Sequence, residues 1–211
     1  YGASLKTGIR QAEHEYVLMM DADGQHPADS ISILLAKADE YDMVIGARSA
    51  WDTPGWRIAG KIILKKISEL LVGTRIPDIN SGFRIIRKSE VVRYMHLCSD
   101  QFSFSTSITL AFLSERLAVQ FVPVEVYTRT TGRSRVNVKT GFATFMLILR
   151  IISTFNPLKI FLPPALLSFG VGTVLLLENL YRRNITDITV IFLVVGLFLF
   201  CFGLLADQLA F

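Results

Sequence analysis

The stretch Tyr16-Val17-Leu18-Met19-Met20-Asp21-Ala22-Asp23-Gly24-Gln25-His26-Pro27 decides how this chain is read. Tyr16 to Met20 is an apolar run and reads as a buried strand. It ends abruptly in two carboxylates. Alternate side chains of an extended segment point the same way, so Asp21 and Asp23 share a face and can reach one hard divalent cation. A cation at the carboxyl end of a strand is well placed to hold a diphosphate. The competing reading is a polar turn, because Asp, Gly and Pro all favour turns. The D-x-D spacing alone does not separate the two.

Outward from this stretch the chain alternates. Residues 2–15 have helix character, with Ala3, Leu5, Ile9 and Ala12 as apolar positions. Residues 29–38 read as a helix after Pro27 and Asp29, and residues 42–46 as a second short buried strand. Helix, strand, helix, strand predicts an α/β fold with a parallel sheet. Ligands of such sheets bind beyond the carboxyl ends of strands, where the acidic turn and Arg48 fall. Further helices are expected over 58–72, 89–95 and 104–115, and a short strand over 83–86. Residues 119–126 alternate around Pro123, which suits an edge or terminal strand. The polar, basic stretch 128–137 reads as a loop.

The chain has 211 residues, a net charge of +4 and 51% hydrophobic residues, with a mean hydropathy of +0.44. The apolar excess is local. From Ile160 onward the chain is nearly all apolar, whereas the first 157 residues resemble an ordinary globular domain. Residues 160–177 and 188–205 are each about 18 residues long, near the lower limit for a membrane span. They predict a transmembrane hairpin, with Pro163 and Pro164 at the entrance of the first helix. A pair of buried core helices is the alternative. Residues 139–155 read as a helix suited to the membrane interface. The basic residues between Arg129 and Lys159 lie on the domain side and place the domain in the cytoplasm by the positive-inside rule, although Arg182 and Arg183 on the far link oppose this. Basic residues beside an apolar segment point to a membrane surface or an anionic substrate. No nucleic-acid motif is present. Cys98 and Cys201 are the only cysteines, fit a reducing compartment and give no metal spacing. The chain starts at Tyr1 in what reads as the middle of a domain, so a fragment is expected.

Three groups of residues carry candidate chemistry. Asp21 and Asp23, with Gln25 next on the same face, suit Mg²⁺ or Mn²⁺ shared with a diphosphate, because the phosphates supply other ligands. His26 is a weaker candidate base, since a His before Pro in a turn is more often structural. The second group is basic: Arg48, Arg57, Arg84, Arg129, Arg133 and Arg135. Arginine forks suit phosphate, although any single surface arginine is more often just solvated. The third is Asp78, which could orient an acceptor or act as a base; a turn role beside Asn80 and Gly82 is nearly as good a reading.

Asp21-Ala22-Asp23-Gly24-Gln25-His26-Pro27 resembles the metal motif of family 2 glycosyltransferases of the GT-A fold. The likeness is closest to the dolichol-phosphate mannose synthase and bacterial polyprenyl-phosphate glycosyltransferase branch. Val44-Ile45-Gly46-Ala47-Arg48 resembles V-x-G-S-R, and Asp78-Ile79-Asn80-Ser81-Gly82-Phe83-Arg84 resembles D-x-x-S-G-F-R. Arg129-Thr130-Thr131-Gly132-Arg133-Ser134-Arg135 resembles R-x-x-G-x-S-K, with Arg135 for Lys. The closing residues 203–208 resemble the end of the second span in membrane-anchored members. The motifs in this order are far more specific than any one of them.

The resemblance implies a GT-A, Rossmann-like domain over residues 1–137 with a mixed, mostly parallel sheet flanked by helices and lacking its N-terminal strands. It would be followed by a juxtamembrane helix over 138–157 and a transmembrane hairpin over 158–211. Asp21, Asp23 and Gln25 would hold Mg²⁺ or Mn²⁺ and the donor diphosphate. Asp23 and Asp78 would be the catalytic carboxylates. Arg48, Arg57, Ser81, Arg129, Ser134 and Arg135 would hold the acceptor phosphate. The implied activity is inverting transfer from a GDP- or UDP-sugar to a polyprenyl phosphate by a multi-pass plasma-membrane protein, with homo-oligomerisation open. A processive polysaccharide synthase of the same family is the alternative enzyme, but Q-x-x-R-W and further spans are absent from this sequence. An inactive membrane-anchored binding module is the non-enzyme alternative.

Overall fold

The computed structural model describes residues 1–48, 62, 65–70, 72–100, 103–127 and 138–209. They form two compact units, Tyr1–Ile151 and Ile152–Phe211. The boundary falls within a helix.

The first unit opens with helix α1 (Gly2–Gln11), whose Ile9 is buried. Strand β1 (Tyr16–Met19), helix α2 (Ser30–Leu35) and strand β2 (Met43–Arg48) follow. α2 is shorter than expected, and residues 36–40 continue as turns. Residues 65–70 are helical (α3), within the helix expected over 58–72. Then come β3 (Arg84–Arg87), α4 (Lys88–Tyr94) with a 3₁₀ turn over Met95–Leu97, α5 (Phe104–Ser114) and β4 (Val119–Val124). Helix α6 (Val138–Phe155) spans the unit boundary.

The sheet order is β1-β3-β2-β4. The sheet is mixed, as expected, but not mostly parallel in its pairings. Among the described residues, β3 pairs antiparallel with both β1 and β2, and only β2 and β4 pair in parallel. β1, β2 and β4 therefore do run the same way, as the helix–strand alternation implies. The reversed β3 is inserted between the first two, and nothing in local periodicity announces an insertion from a distant segment. β4 is an edge strand, so Pro123 sits where a missing N–H costs least.

β2 lies between two neighbours and is buried from Met43 to Ala47, with only Arg48 exposed. One sheet face packs Val44, Phe83, Ile85, Val122 and Val124 against Leu34 and Ala38. From the other face Arg84 reaches α5. Gly46 is required in β2 by Phe83, since a Cβ there would stand 2.6 Å from Phe83 Cδ1.

The second unit contains α7 (Leu158–Tyr181) and α8 (Asp187–Leu209). Both extend beyond the expected spans, leaving a link of residues 182–186 only. α7 begins at Leu158, so Pro163 and Pro164 lie inside it rather than at its entrance. Small and polar residues form the buried seam: Ala165, Ser168, Gly172 and Asn179 on α7, and Thr189, Gly196 and Gly203 on α8. The exposed surface is rich in Leu, Val and Phe. Both helices are long and apolar enough to cross a membrane.

Candidate active site

Strand direction explains why the candidate residues meet. β1, β2 and β4 end at one edge of the sheet, and the reversed β3 begins there. Residues 21–27, Arg48, residues 78–83 and residues 125–127 therefore gather at that edge.

Beyond β1 the chain bends. Asp21 and Asp23 are half-buried, while Ala22 and Gly24 are exposed, so the carboxylates share the inward side. Gly24 has φ +73°, a left-handed turn that Gly adopts without strain. Asp23 Oδ1 accepts the backbone N–H of Gln25 at 3.2 Å, the side-chain turn typical of Asp. Turn chemistry and paired carboxylates thus coexist in this segment. Asp21 Oδ1 accepts the Tyr1 hydroxyl at 3.0 Å. Burial raises the Tyr1 phenol pKa first, with Asp21 adding to it and a hydrogen bond from Ser105 opposing.

Gln25 is tied to the segment after β4. Its Nε2 donates to the Tyr127 carbonyl at 3.4 Å, and Tyr127 N–H donates to the Gln25 carbonyl at 2.9 Å. His26 stacks on Phe83, with ring centroids 4.7 Å apart and an interplanar angle of 25°. Burial lowers the imidazole pKa despite the pull of Asp21 and Asp23, so the ring is neutral at neutral pH. Among the described residues its buried Nδ1 has no hydrogen-bond partner.

Arg48 and Asp78 are paired with each other. Arg48 Nε donates to Asp78 Oδ2 at 2.6 Å, and Nη2 donates to Oδ1 at 3.0 Å. Burial would raise the Asp78 pKa, but the Arg48 fork and charge and the Asn80 N–H bring it below its ordinary value. The Asp78 hydrogen bond raises Arg48 first, and Asp21 and Asp23 add to it from farther away. A carboxylate held ionised in this way is a poor base. The side-on pairing leaves the Nη1–Nη2 edge of Arg48 for another anion.

Ser81 is buried and bonded into the sheet. Its buried hydroxyl donates to the Gly46 carbonyl at 2.6 Å and accepts Phe83 N–H at 3.3 Å. The physical reason is the sheet: Ser81 continues the β2–β3 pairing past its last strand residue. Arg84 is likewise turned into the interior. Its guanidinium is fully buried and donates to the Ser81 carbonyl, to Ser105 O at 3.2 Å and to Thr109 Oγ1 at 2.9 Å. Burial lowers its pKa to about 10. The signal was present in the sequence, since Arg84 alternates with the apolar Ile86 and so shares its inward face. Arg57, Arg129, Arg133, Ser134 and Arg135 lie outside the described residues.

Among the described residues, no three His, Cys, Asp or Glu side chains gather as a metal site. The turn offers two carboxylates and the Gln25 amide oxygen. These hard donors fit Mg²⁺ or Mn²⁺ if a bound diphosphate and water complete the shell.

Residues 1–93 match the family model described as glycosyl transferase family 2. Residues 156–210 match the GtrB C-terminal hairpin. A polyprenol monophosphomannose synthase of Mycolicibacterium smegmatis is 30% identical over 152 residues, covering 65% of this chain and 54% of that protein. An undecaprenyl-phosphate mannosyltransferase of Micrococcus luteus is 26% identical over 148 residues, covering 65% of this chain and 59% of that protein. The chain thus spans little more than half the length of these relatives.

Proposed function

We propose, from the matches of residues 1–93 to glycosyl transferase family 2 and of residues 156–210 to the GtrB C-terminal hairpin, that the protein transfers a sugar from a nucleotide sugar to a polyprenyl phosphate at a membrane. The gathering of the Asp21–Asp23 turn and the Arg48–Asp78 pair at one sheet edge carries this reading. The names of the relatives make a mannosyl donor the first to test. The two apolar helices support membrane association, with the domain on the cytoplasmic side.

Asp21, Asp23 and Gln25 would hold Mg²⁺ or Mn²⁺, which when bound supplies charge stabilisation for the departing diphosphate. Arg48 presents its free edge to the acceptor phosphate, and Asp78 fixes the orientation of that edge. Arg57, Arg129, Ser134 and Arg135 complete the acceptor site, on the strength of their motifs. The acceptor phosphate oxygen attacks the anomeric carbon as the bond to the nucleoside diphosphate breaks, inverting the configuration. That oxygen is already ionised near neutrality, so no side chain need remove a proton. Positioning and preorganised charge supply the catalysis.

The test uses the full-length protein in membranes with labelled GDP-mannose, Mg²⁺ and polyprenyl phosphate, and then with other nucleotide sugars. Lipid-linked sugar is expected from the wild type, and Asp23→Ala should reduce it by at least about 10²-fold, the scale of a lost transition-state contact. Undiminished transfer by Asp23→Ala would remove the catalytic role assigned to the acidic turn.

A further inference from the structure

The acidic turn rests on the Ser81-Gly82-Phe83 segment at two points. The first is Asp21 on Gly82. A Cβ built on Gly82 would stand 2.6 Å from Asp21 Oδ2, 2.9 Å from Cγ and 3.0 Å from Oδ1. The whole carboxylate therefore lies against the bare α-carbon of residue 82. No φ in the left-handed region explains this glycine, since Gly24 and Gly73 are the described glycines with positive φ. Close approach is the requirement, as for other glycines that admit a polar group to the backbone. The second point is the stack of His26 on Phe83. Phe83 is itself fully buried and packed against Gly46 of β2.

The segment beneath is rigid. Ser81 is bonded to β2 through Gly46, and the Ser81 carbonyl receives the buried Arg84 guanidinium. From the opposite side the Tyr1 hydroxyl donates to Asp21 Oδ1 at 3.0 Å and is itself held by Ser105 of α5. A short side chain fixed between a backbone and a hydroxyl has little rotamer freedom left.

We infer that Gly82 and Tyr1 are positioning residues for Asp21, with Gly82 seating the carboxylate and Tyr1 fixing one of its oxygens. This rests on the proposed metal role of Asp21. It gives the Ser81-Gly82-Phe83 segment a job on the donor side of the site, distinct from the acceptor role expected from its motif. Tyr1 thereby couples a segment preceding β1 to a cation held after it. Partners of this kind typically change metal affinity by about 10–100-fold when removed.

The experiment measures Mn²⁺ binding by electron paramagnetic resonance, in detergent, on full-length protein with saturating GDP and, separately, UDP. Wild type, Asp21→Ala, Gly82→Ala and Tyr1→Phe are compared, and thermal unfolding without metal is recorded for each. Gly82→Ala is expected to weaken Mn²⁺ binding by about 10–100-fold, and Tyr1→Phe by about tenfold, with the metal-free unfolding midpoint of Tyr1→Phe unchanged. If Gly82→Ala does not fold, Tyr1→Phe decides, because it removes only the hydroxyl. Wild-type affinity in Gly82→Ala, or in Tyr1→Phe where Gly82→Ala is unfolded, overturns the inference while leaving the metal role of Asp21 intact. Equal binding by wild type and Asp21→Ala overturns the metal role itself and this inference with it.

Discussion

Arg48 and Asp78 form a two-point ion pair at the candidate site. The pair uses Nε and Nη2 of Arg48, so the guanidinium is fixed in direction while one edge stays available. Asp78→Asn keeps the shape but loses the charge, and it should raise the KM for polyprenyl phosphate about tenfold, the worth of one charge-assisted hydrogen bond. Initial rates against lipid concentration check this. A fall in kcat alone would instead assign Asp78 to the reaction step. The same pair sets a pH dependence. Because the folded pKa of Asp78 is depressed, its stabilising contribution is complete above the ordinary carboxylate range and is lost as pH falls through the lower folded value. Thermal unfolding of wild type should therefore decline over that acidic window more than that of Asp78→Asn. Arg84 belongs to the same scale. Arg84→Met would take the guanidinium donor from the buried Ser81 carbonyl, while the Ser105 carbonyl keeps the Thr109 hydroxyl at 2.8 Å, and a loss of about 1–3 kcal/mol in unfolding free energy is expected.

Among the elements, the hairpin is the most explicit about its own packing. A Cβ on Gly172 would stand 2.8 Å from Leu193 Cδ2, and one on Gly203 would stand 2.9 Å from Phe161 Cβ. Ser168 donates to the Phe192 carbonyl at 2.6 Å. At the link, Asn179 donates to Thr186 Oγ1 at 3.0 Å and also to the Thr189 hydroxyl. Lipid tails give apolar helices no net reason to associate, so close backbone approach and interhelical hydrogen bonds do that work. Gly172→Leu overfills the seam and should cost about 1–3 kcal/mol of hairpin stability, read from thermal unfolding in detergent. Ser168→Ala should cost about 0.6 kcal/mol, the average for such bonds in a membrane. The strands teach a different lesson. β1, β2 and β4 each end near a functional segment, and reversed β3 delivers residues 78–83 into their midst.

For the whole molecule, a globular unit and an apolar two-helix unit are joined through α6. Removing residues 158–211 from the full-length protein should shift it from the membrane pellet towards the soluble fraction, measured by sedimentation at high salt. Retention in the pellet would place the principal anchor elsewhere in the protein. The α/β class, the acidic turn, the basic motifs and the apolar hairpin are legible in the amino-acid order alone. Each of these is written locally, in an apolar run, a D-x-D spacing or a stretch long enough to span a bilayer. The three-dimensional structure was needed to show that Ser81 and Arg84 bond within the fold, that Arg48 pairs with Asp78, and that Asp21 lies on Gly82. The last two of those pairings join residues 30 and 61 positions apart through the insertion of β3. Local periodicity carries no information about which distant segment pairs with a strand, because pairing is selected by the packing of the completed sheet.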